Sequence, residues 1–348
     1  MIKQWMSLGR KVWLSNFYKL QAPYKLTYAV TGRCNSRCRH CLVWKQKPAN
    51  ELTLDEIARF AHNNSQWSWI DFTGGEPTLR SDFVDIVRVF LKTNSDLIFI
   101  HFPTNGLQTD RIIETCEGIL ALSPPRLVVT VSIDGPPEIH DTIRGVQDGF
   151  SRACRTLAAL RGISGLSVHV GLTLYPDNIG EIDRTIEALR ETIPGFNLRQ
   201  LHVNIPHASD HFYHNAAGNP RATPEMMNAI RNLIKRRGMP RSPFEWVEWL
   251  YQKNIPAYIA TGKCPRNCAA LLSSCFLGPD GTVYPCSIWN MPLGNIRATE
   301  YRLDQLIRSE RTRQLRSQLL RKECQNCWTP CEAYPTLAAN LLHWRPPS

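Results

Sequence analysis

From residue 24 onward, short β-branched and apolar runs alternate with stretches whose apolar residues recur every three to four positions, the signature of strands separated by amphipathic helices. The runs 24–30, 69–72, 97–102, 126–133, 166–174 and 197–204 predict six strands. Segments 81–92, 150–161 and 178–190 predict helices, and another starts at Thr53, where Glu56 three residues on completes a capping box. Six strands with helical crossovers predict an α/β fold, a partial (β/α)6 barrel with a parallel sheet. Chemistry in such folds gathers at the C-terminal strand ends, and the polar motifs of this chain lie there.

Two segments flank the barrel. In residues 1–23, Ile2, Trp5, Met6, Val12, Trp13, Phe17 and Leu20 recur at roughly helical spacing among Lys3, Arg10, Lys11 and Lys19, until Ala22-Pro23 ends the pattern. Two placements suit this helix: packed under the barrel with its aromatics as core, or lying in a membrane interface, giving peripheral membrane contact through residues 1–20. Composition shifts near residue 240. The pattern thus predicts an N-terminal basic amphipathic helix (1–23), a barrel (24–240) and a small cysteine-rich hairpin-plus-helix domain (241–348). Gly278-Pro279-Asp280-Gly281-Thr282 is the hairpin turn, and much of 297–322, with Leu303, Leu306, Ile307, Leu315 and Leu319 among arginines, reads as amphipathic helix with a solvated basic face. The polar linker 205–224 crowds His207, His211 and His214 together, which suits substrate contact or a surface loop.

Composition narrows the class. Hydrophobic residues make up 43% and charged residues 20%, as in globular proteins, and no apolar run is long enough to span a bilayer. No secretory signal is readable, so twelve cysteines point to a reducing cytoplasm and to thiols that bind metal. The net charge of +11 permits contact with nucleic acid or an anionic surface, but no RNA-binding module is present.

The candidate chemistry centres on Cys34, Cys38 and Cys41, spaced C-x3-C-x2-C directly after the first strand. Three thiolates can hold three irons of a cubane and leave the fourth open to a small molecule. This loop resembles the signature of the radical S-adenosylmethionine (AdoMet) superfamily, with His40 where an aromatic ring commonly precedes the last cysteine. The resemblance covers about residues 24–205. It implies that AdoMet chelates the open iron, that one electron cleaves its sulfonium, and that a 5'-deoxyadenosyl radical attacks a substrate at the barrel mouth.

It also implies cofactor contacts: Gly74, Gly75, Glu76 and Pro77 near the methionine amino group, and Thr104 and Asn105 after the third strand. Ser132 and Asp134 would reach ribose hydroxyls, Arg144 the cofactor carboxylate, and Asn178 the adenine or methionine end. Each turn taken alone also suits an ordinary strand-to-helix connection.

The C-terminal cysteines resemble a SPASM or shorter twitch extension. Cys268, Gly281 and Cys286 fit its spacing, Cys324 and Cys327 form the closing pair, and Cys331 and Cys264 are further candidates for one auxiliary 4Fe-4S cluster. A structural zinc at Cys268, Cys286, Cys324 and Cys327 is the alternative. Cys275 suits a hairpin core, and Cys116 and Cys154 suit buried helical thiols. The segment 324–336 and the basic aromatic N-terminus also resemble the adenosylhopane synthase group, which acts on a membrane lipid. Three functions follow: a radical enzyme on a small molecule, lipid or peptide, fed by an electron donor such as flavodoxin or ferredoxin; an RNA-modifying radical enzyme; or a noncatalytic iron-sulfur or zinc protein.

Overall fold

The computed structural model describes residues 1–218 and 222–342; residues 219–221 of the linker and 343–348 lie outside the described residues. The chain runs α1 (Ile2–Asn16), β1 (Lys25–Thr31), α2 (Leu54–Asn63), β2 (Trp69–Gly74), α3 (Phe83–Thr93), β3 (Phe99–Thr104), α4 (Thr109–Leu120), β4 (Leu127–Ser132), α5 (Pro137–Arg144), α6 (Gly149–Arg161), β5 (Leu166–Thr173), α7 (Ile182–Thr192), β6 (Leu201–Asn204) and α8 (Pro224–Arg237). The six strands pair in parallel in sequence order, as the periodicity predicts. Leu26, Tyr28, Ile70, Phe72, Ile100, Phe102, Val129, Val131, Val170 and Leu172 are fully buried with the helices in one core. At the start of α2 both capping-box bonds between Thr53 and Glu56 form.

The C-terminal region continues with α9 (Pro243–Thr261), β7 (Ser274–Leu277), β8 (Thr282–Tyr284), β9 (Gly294–Asn295), α10 (Leu303–Ile307), α11 (Glu310–Leu320) and α12 (Pro330–Ala338). The predicted hairpin is present, but it is not set apart from the barrel: β7 pairs in parallel with β1, extending one sheet to nine strands in the order β6-β5-β4-β3-β2-β1-β7-β8-β9. Much of 297–322 is helical, as read, but in more than one piece. Glu300 and Tyr301 take left-handed backbone angles, and Ser309 caps a new helix by accepting from Thr312 N, so the segment divides into a turn, α10 and α11.

Alternate residues of β3 to β6 point away from the helices into the barrel lumen. His101, Thr130, Ser132, His169, Gly171, Thr173, His202 and Asn204 all keep partial exposure there. At the β1 side the lumen is filled. Lys25 Nζ, fully enclosed, lies 2.8 Å from Asp71 Oδ2 and donates to Cys331 O at 2.6 Å, while Asp71 Oδ1 accepts from Trp69 Nε1 and faces His101 Nδ1 at 3.3 Å. Burial alone would discharge Lys25, but Asp71, together with Cys331 and Glu332, outweighs it and raises the lysine pKa. The lumen floor is aromatic: Trp5 of α1 meets Phe99 at 5.5 Å and Phe244 at 6.3 Å, and Trp69 stacks on Tyr334. Among the described residues, no helix is long and apolar enough to cross a membrane.

Removing one member of the enclosed pair leaves its partner charged in a low dielectric. Lys25→Met is expected to cost about 3–5 kcal/mol, read as a lowered denaturation midpoint, and adding Asp71→Leu is expected to restore most of it.

Candidate functional site

The cysteine loop leaves β1 at Thr31 and is gripped from three sides. On one side, Gly75 N donates to Thr31 O and Glu76 N to Arg33 O, each at 2.8 Å. The approach is so close that a Cβ on Gly74, whose φ is +132°, would lie 2.1 Å from Thr31 O, and one on Gly75 2.0 Å from Arg33 O. These glycines are therefore required by backbone contact with the loop itself. On the second side, the end of α5 accepts from it: Arg37 N to Arg144 O and Arg39 N to Ile143 O, both 2.9 Å. On the third, Asn215 Nδ2 donates to His40 O at 2.6 Å, and Leu42 N to Tyr213 O at 2.8 Å.

Within this frame Cys34, Cys38 and Cys41 are free thiols. Burial pushes Cys34 up to about 11 and Cys41 up to about 12, with Arg144 opposing the shift at both. The Arg144 guanidinium reaches Cys38 Sγ at 3.7 Å and pairs with buried Asp134 Oδ2 at 2.7 Å. Burial works against charge on Asp134, but Arg144 prevails and holds its carboxyl below the usual range. His40 carries an Nδ1 that is buried without a hydrogen-bond partner, and burial lowers its pKa to about 4, leaving a flat neutral ring 6.0 Å from that of Tyr175. This donor set fits an iron-sulfur cluster: soft, unbridged thiols beside a fixed cation that would offset the charge they carry as metal ligands.

The remaining predicted contacts divide. Thr104 and Asn105 stand at the end of β3, with Asn105 Nδ2 bonded to Asn35 Oδ1 in the cysteine loop at 2.7 Å, and Ser132 is half-buried at the end of β4. Glu76 turns inward instead. Its carboxylate accepts from Asn105 N and Thr78 Oγ1, both at 2.7 Å, so it ties two loops together, with Pro77 opening a short turn behind it. The Asn178 amide is likewise spent on scaffold: Nδ2 donates to Asp134 O and Thr173 O at 2.8 Å, and Oδ1 accepts from Tyr175 N at 2.7 Å.

In the C-terminal region, five thiols are electrostatic neighbours. Burial, then Cys264, Glu332 and Cys286, raise Cys268 well above its ordinary range. Burial, then Cys286, Cys268 and Cys264, do the same to Cys327, while Cys264 and Cys286 each sense Cys324. Cys331 stands apart, facing Lys25 and Asp71; burial pushes it to about 12 against the pull of Lys25. Cys275 is buried in β7, and Cys116 and Cys154 are buried in α4 and α6.

The histidine-rich linker, read as substrate contact or surface loop, joins the two cysteine regions. His207 donates from Nδ1 to Ile205 O at 2.8 Å and accepts at Nε2 from Trp328 N at 3.0 Å; His211 Nε2 donates to Cys286 O at 3.0 Å and its ring stacks on Tyr284. A few residues on, Tyr213 and Asn215 hold the first cysteine loop. Spacing gave no sign of this strap, because its partners are backbone groups distant in sequence. The polar lumen residues were detectable in principle, as polar positions alternating through otherwise apolar strands.

Residues 28–189 match the radical SAM superfamily, and residues 268–328 match SPASM, an iron-sulfur cluster-binding domain. This chain carries a radical SAM domain followed by a SPASM domain. Its cofactors are accordingly a 4Fe-4S cluster, AdoMet and auxiliary iron-sulfur. Similar curated proteins include an AdoMet-dependent heme synthase of Methanosarcina barkeri, 27% identical over 81% of each chain, and one of Oleidesulfovibrio alaskensis, 25% identical over 79% of this chain and 72% of that one. The mycofactocin maturase MftC of Mycolicibacterium smegmatis is 31% identical over 47% of this chain and 41% of its own. The fold is shared with anSMEcpe, solved with bound AdoMet and Cp18Cys peptide, at a TM-score of 0.60 and 17% identity, covering 92% of this chain and 97% of that one.

Three outcomes follow. Gly75→Ala is expected to lose about four irons per chain while keeping its fold by circular dichroism. By contrast, Cys331→Ala is expected to keep the full iron content, whereas Cys268→Ala and Cys327→Ala lose the auxiliary iron. Burial lowers the His207 pKa to about 4, below the unfolded value of about 6.5. Its contribution is therefore present above that value and is lost as pH falls toward about 4. Thermal stability across this window should fall more steeply for wild type than for His207→Gln.

Proposed function

We propose that this enzyme modifies a soluble, polar substrate, a peptide side chain or a biosynthetic small molecule, that enters the barrel from the cysteine-loop end. The observation that carries this reading is the inner face of β3 to β6, polar and partly exposed, with Trp5, Phe99, Phe244 and Trp69 clustered at the N-terminal strand ends and the Cys34–Cys41 loop following the C-terminal end of β1. His101 is fixed by Asp71 and by Thr130 Oγ1 at 3.0 Å, and the His169 and His202 rings lie 4.3 Å apart. Burial keeps both His169 and His202 neutral, so they offer hydrogen bonds without fixed charge. Gly171 lets Thr130 pack close beside them, since a Cβ there would meet Thr130 Cγ2 at 2.9 Å. A peptide substrate gains support from the peptide in the anSMEcpe structure and from the maturase among the relatives.

Cys34, Cys38 and Cys41 would hold the catalytic cluster, which with AdoMet supplies one-electron sulfonium cleavage and the hydrogen abstraction that follows from it. Arg144 and Asp134 form a prearranged ion pair for the polar groups of AdoMet, with Ser132, Thr104 and Asn105 around it and His40 as a flat neutral wall. Cys264, Cys268, Cys286, Cys324 and Cys327 supply more than the four thiolates that one auxiliary cluster needs. The strap 205–215 keeps that region in register with the first loop. The net charge of +11 favours an acidic electron donor of flavodoxin or ferredoxin type.

Reduced, iron-loaded enzyme is expected to convert AdoMet to 5'-deoxyadenosine, and Cys38→Ala to abolish the conversion. His202→Leu should keep substrate-independent cleavage but lose the stimulation given by substrate. Absence of cleavage by a fully loaded, reducible enzyme would refute the assignment.

A further inference from the structure

The outer face of α1 has no role in the site. Thirteen large hydrophobic side chains are exposed among the described residues, and seven of them, Met1, Ile2, Trp5, Met6, Trp13, Phe17 and Tyr18, fall within the first eighteen positions. Two further groups adjoin them: Phe244 lies against Trp5, and Leu342 N donates to Asn16 Oδ1, with Leu341 beside it. The apolar surface therefore runs the length of α1 and beyond both its ends.

The helix itself is firmly seated, which separates its two faces. Gln4 Nε2 donates to Ser95 O and Leu97 O, Ser7 bonds Asp96, Lys11 Nζ reaches Gln66 O, Ser68 Oγ and Asp96, and Asn16 Nδ2 donates to Ala338 O. Leu8, Val12 and Leu14 pack on Leu20, Tyr24 and Leu272. The anchored face is thus partly polar and the solvent face is centred on Ile2, Met6, Trp13 and Phe17. That is the reverse of a helix whose only task is to pack.

Charge identifies the occupant. Lys3, Arg10 and Lys19 are exposed on or beside this face, and the chain holds no acidic residue before Glu51. Aromatic and aliphatic groups flanked by unopposed cations suit the headgroup region of an anionic bilayer. A second copy of the chain would bring the same cations face to face.

We propose that α1, with the adjoining Phe244, Leu341 and Leu342, docks this enzyme peripherally on an anionic lipid surface. The partners of α1 lie at the N-terminal strand ends, whereas the cysteine loops lie at the C-terminal ends, about 20 Å away along a seven-residue strand. Docking through this pole points the catalytic mouth at the aqueous phase. It tethers the enzyme without bringing bilayer-embedded lipid to the site.

The test is co-sedimentation of the iron-loaded, full-length enzyme with vesicles of phosphatidylcholine containing 30% phosphatidylglycerol, beside vesicles of phosphatidylcholine alone. Most of the protein should sediment with the anionic vesicles at low salt and little with neutral ones, and the partition coefficient of Met6→Glu/Trp13→Glu should drop at least tenfold, with AdoMet cleavage unchanged. Failure of the wild type to sediment would overturn the proposal, as would a double variant that sediments like wild type. So would a wild-type dimer that becomes monomeric in the double variant without either form binding vesicles. Vesicle binding does not depend on turnover, so this result and the catalytic assignment can fail separately.

Discussion

The backbone of residues 31–42 has almost no hydrogen bonds of its own to hold it, and everything at the catalytic end depends on how neighbours supply them. The Gly74-Gly75 turn, the C-terminal end of α5 and the Tyr213–Asn215 strap each donate to or accept from that loop. Three thiols can then be presented from a short irregular segment without a helix or strand beneath them. A cluster site built this way is only as well defined as its supporting loops, because ligand geometry is inherited from the residues that fix the ligands. The two glycines are required because peptide planes meet where a methyl group would collide.

Charge is managed by enclosure in pairs. Lys25 with Asp71, and Arg144 with Asp134, each place a cation against a buried carboxylate, one deep at the β1 side of the lumen and one at its mouth. Neither pair is evidence of great stability, since desolvation offsets most of the attraction. Their value lies in position. Arg144 holds charge beside Cys38, and Lys25 reaches Cys331 O, which brings the start of α12 into the barrel and helps close its open side.

Much of this was legible in the sequence, and the failures have physical causes. The six strands, the Thr53 capping box and the hairpin at Gly278–Thr282 were readable because local periodicity and turn chemistry determine them. The spacing of Cys34, Cys38 and Cys41 pointed to a cluster, since one short loop carries all three candidate ligands. The pairing of β7 with β1 was not readable, because it joins strands some 250 residues apart and leaves no local trace. The scaffold bonds of Glu76 and Asn178 left no local trace either, because a side chain that suits a ligand suits a neighbouring loop equally well. For α1, the packing reading holds for Trp5, which is part of the lumen floor, but not for Trp13, which is left outside.

The central claim is that one set of three thiolates leaves an iron open for AdoMet while a separate, cysteine-rich set closes an auxiliary cluster. Mössbauer spectroscopy of the 57Fe-reconstituted enzyme, with and without AdoMet, tests it most directly. The account predicts about eight irons per chain, one of which changes its isomer shift when AdoMet is added. A loaded enzyme in which no iron responds to AdoMet would contradict it.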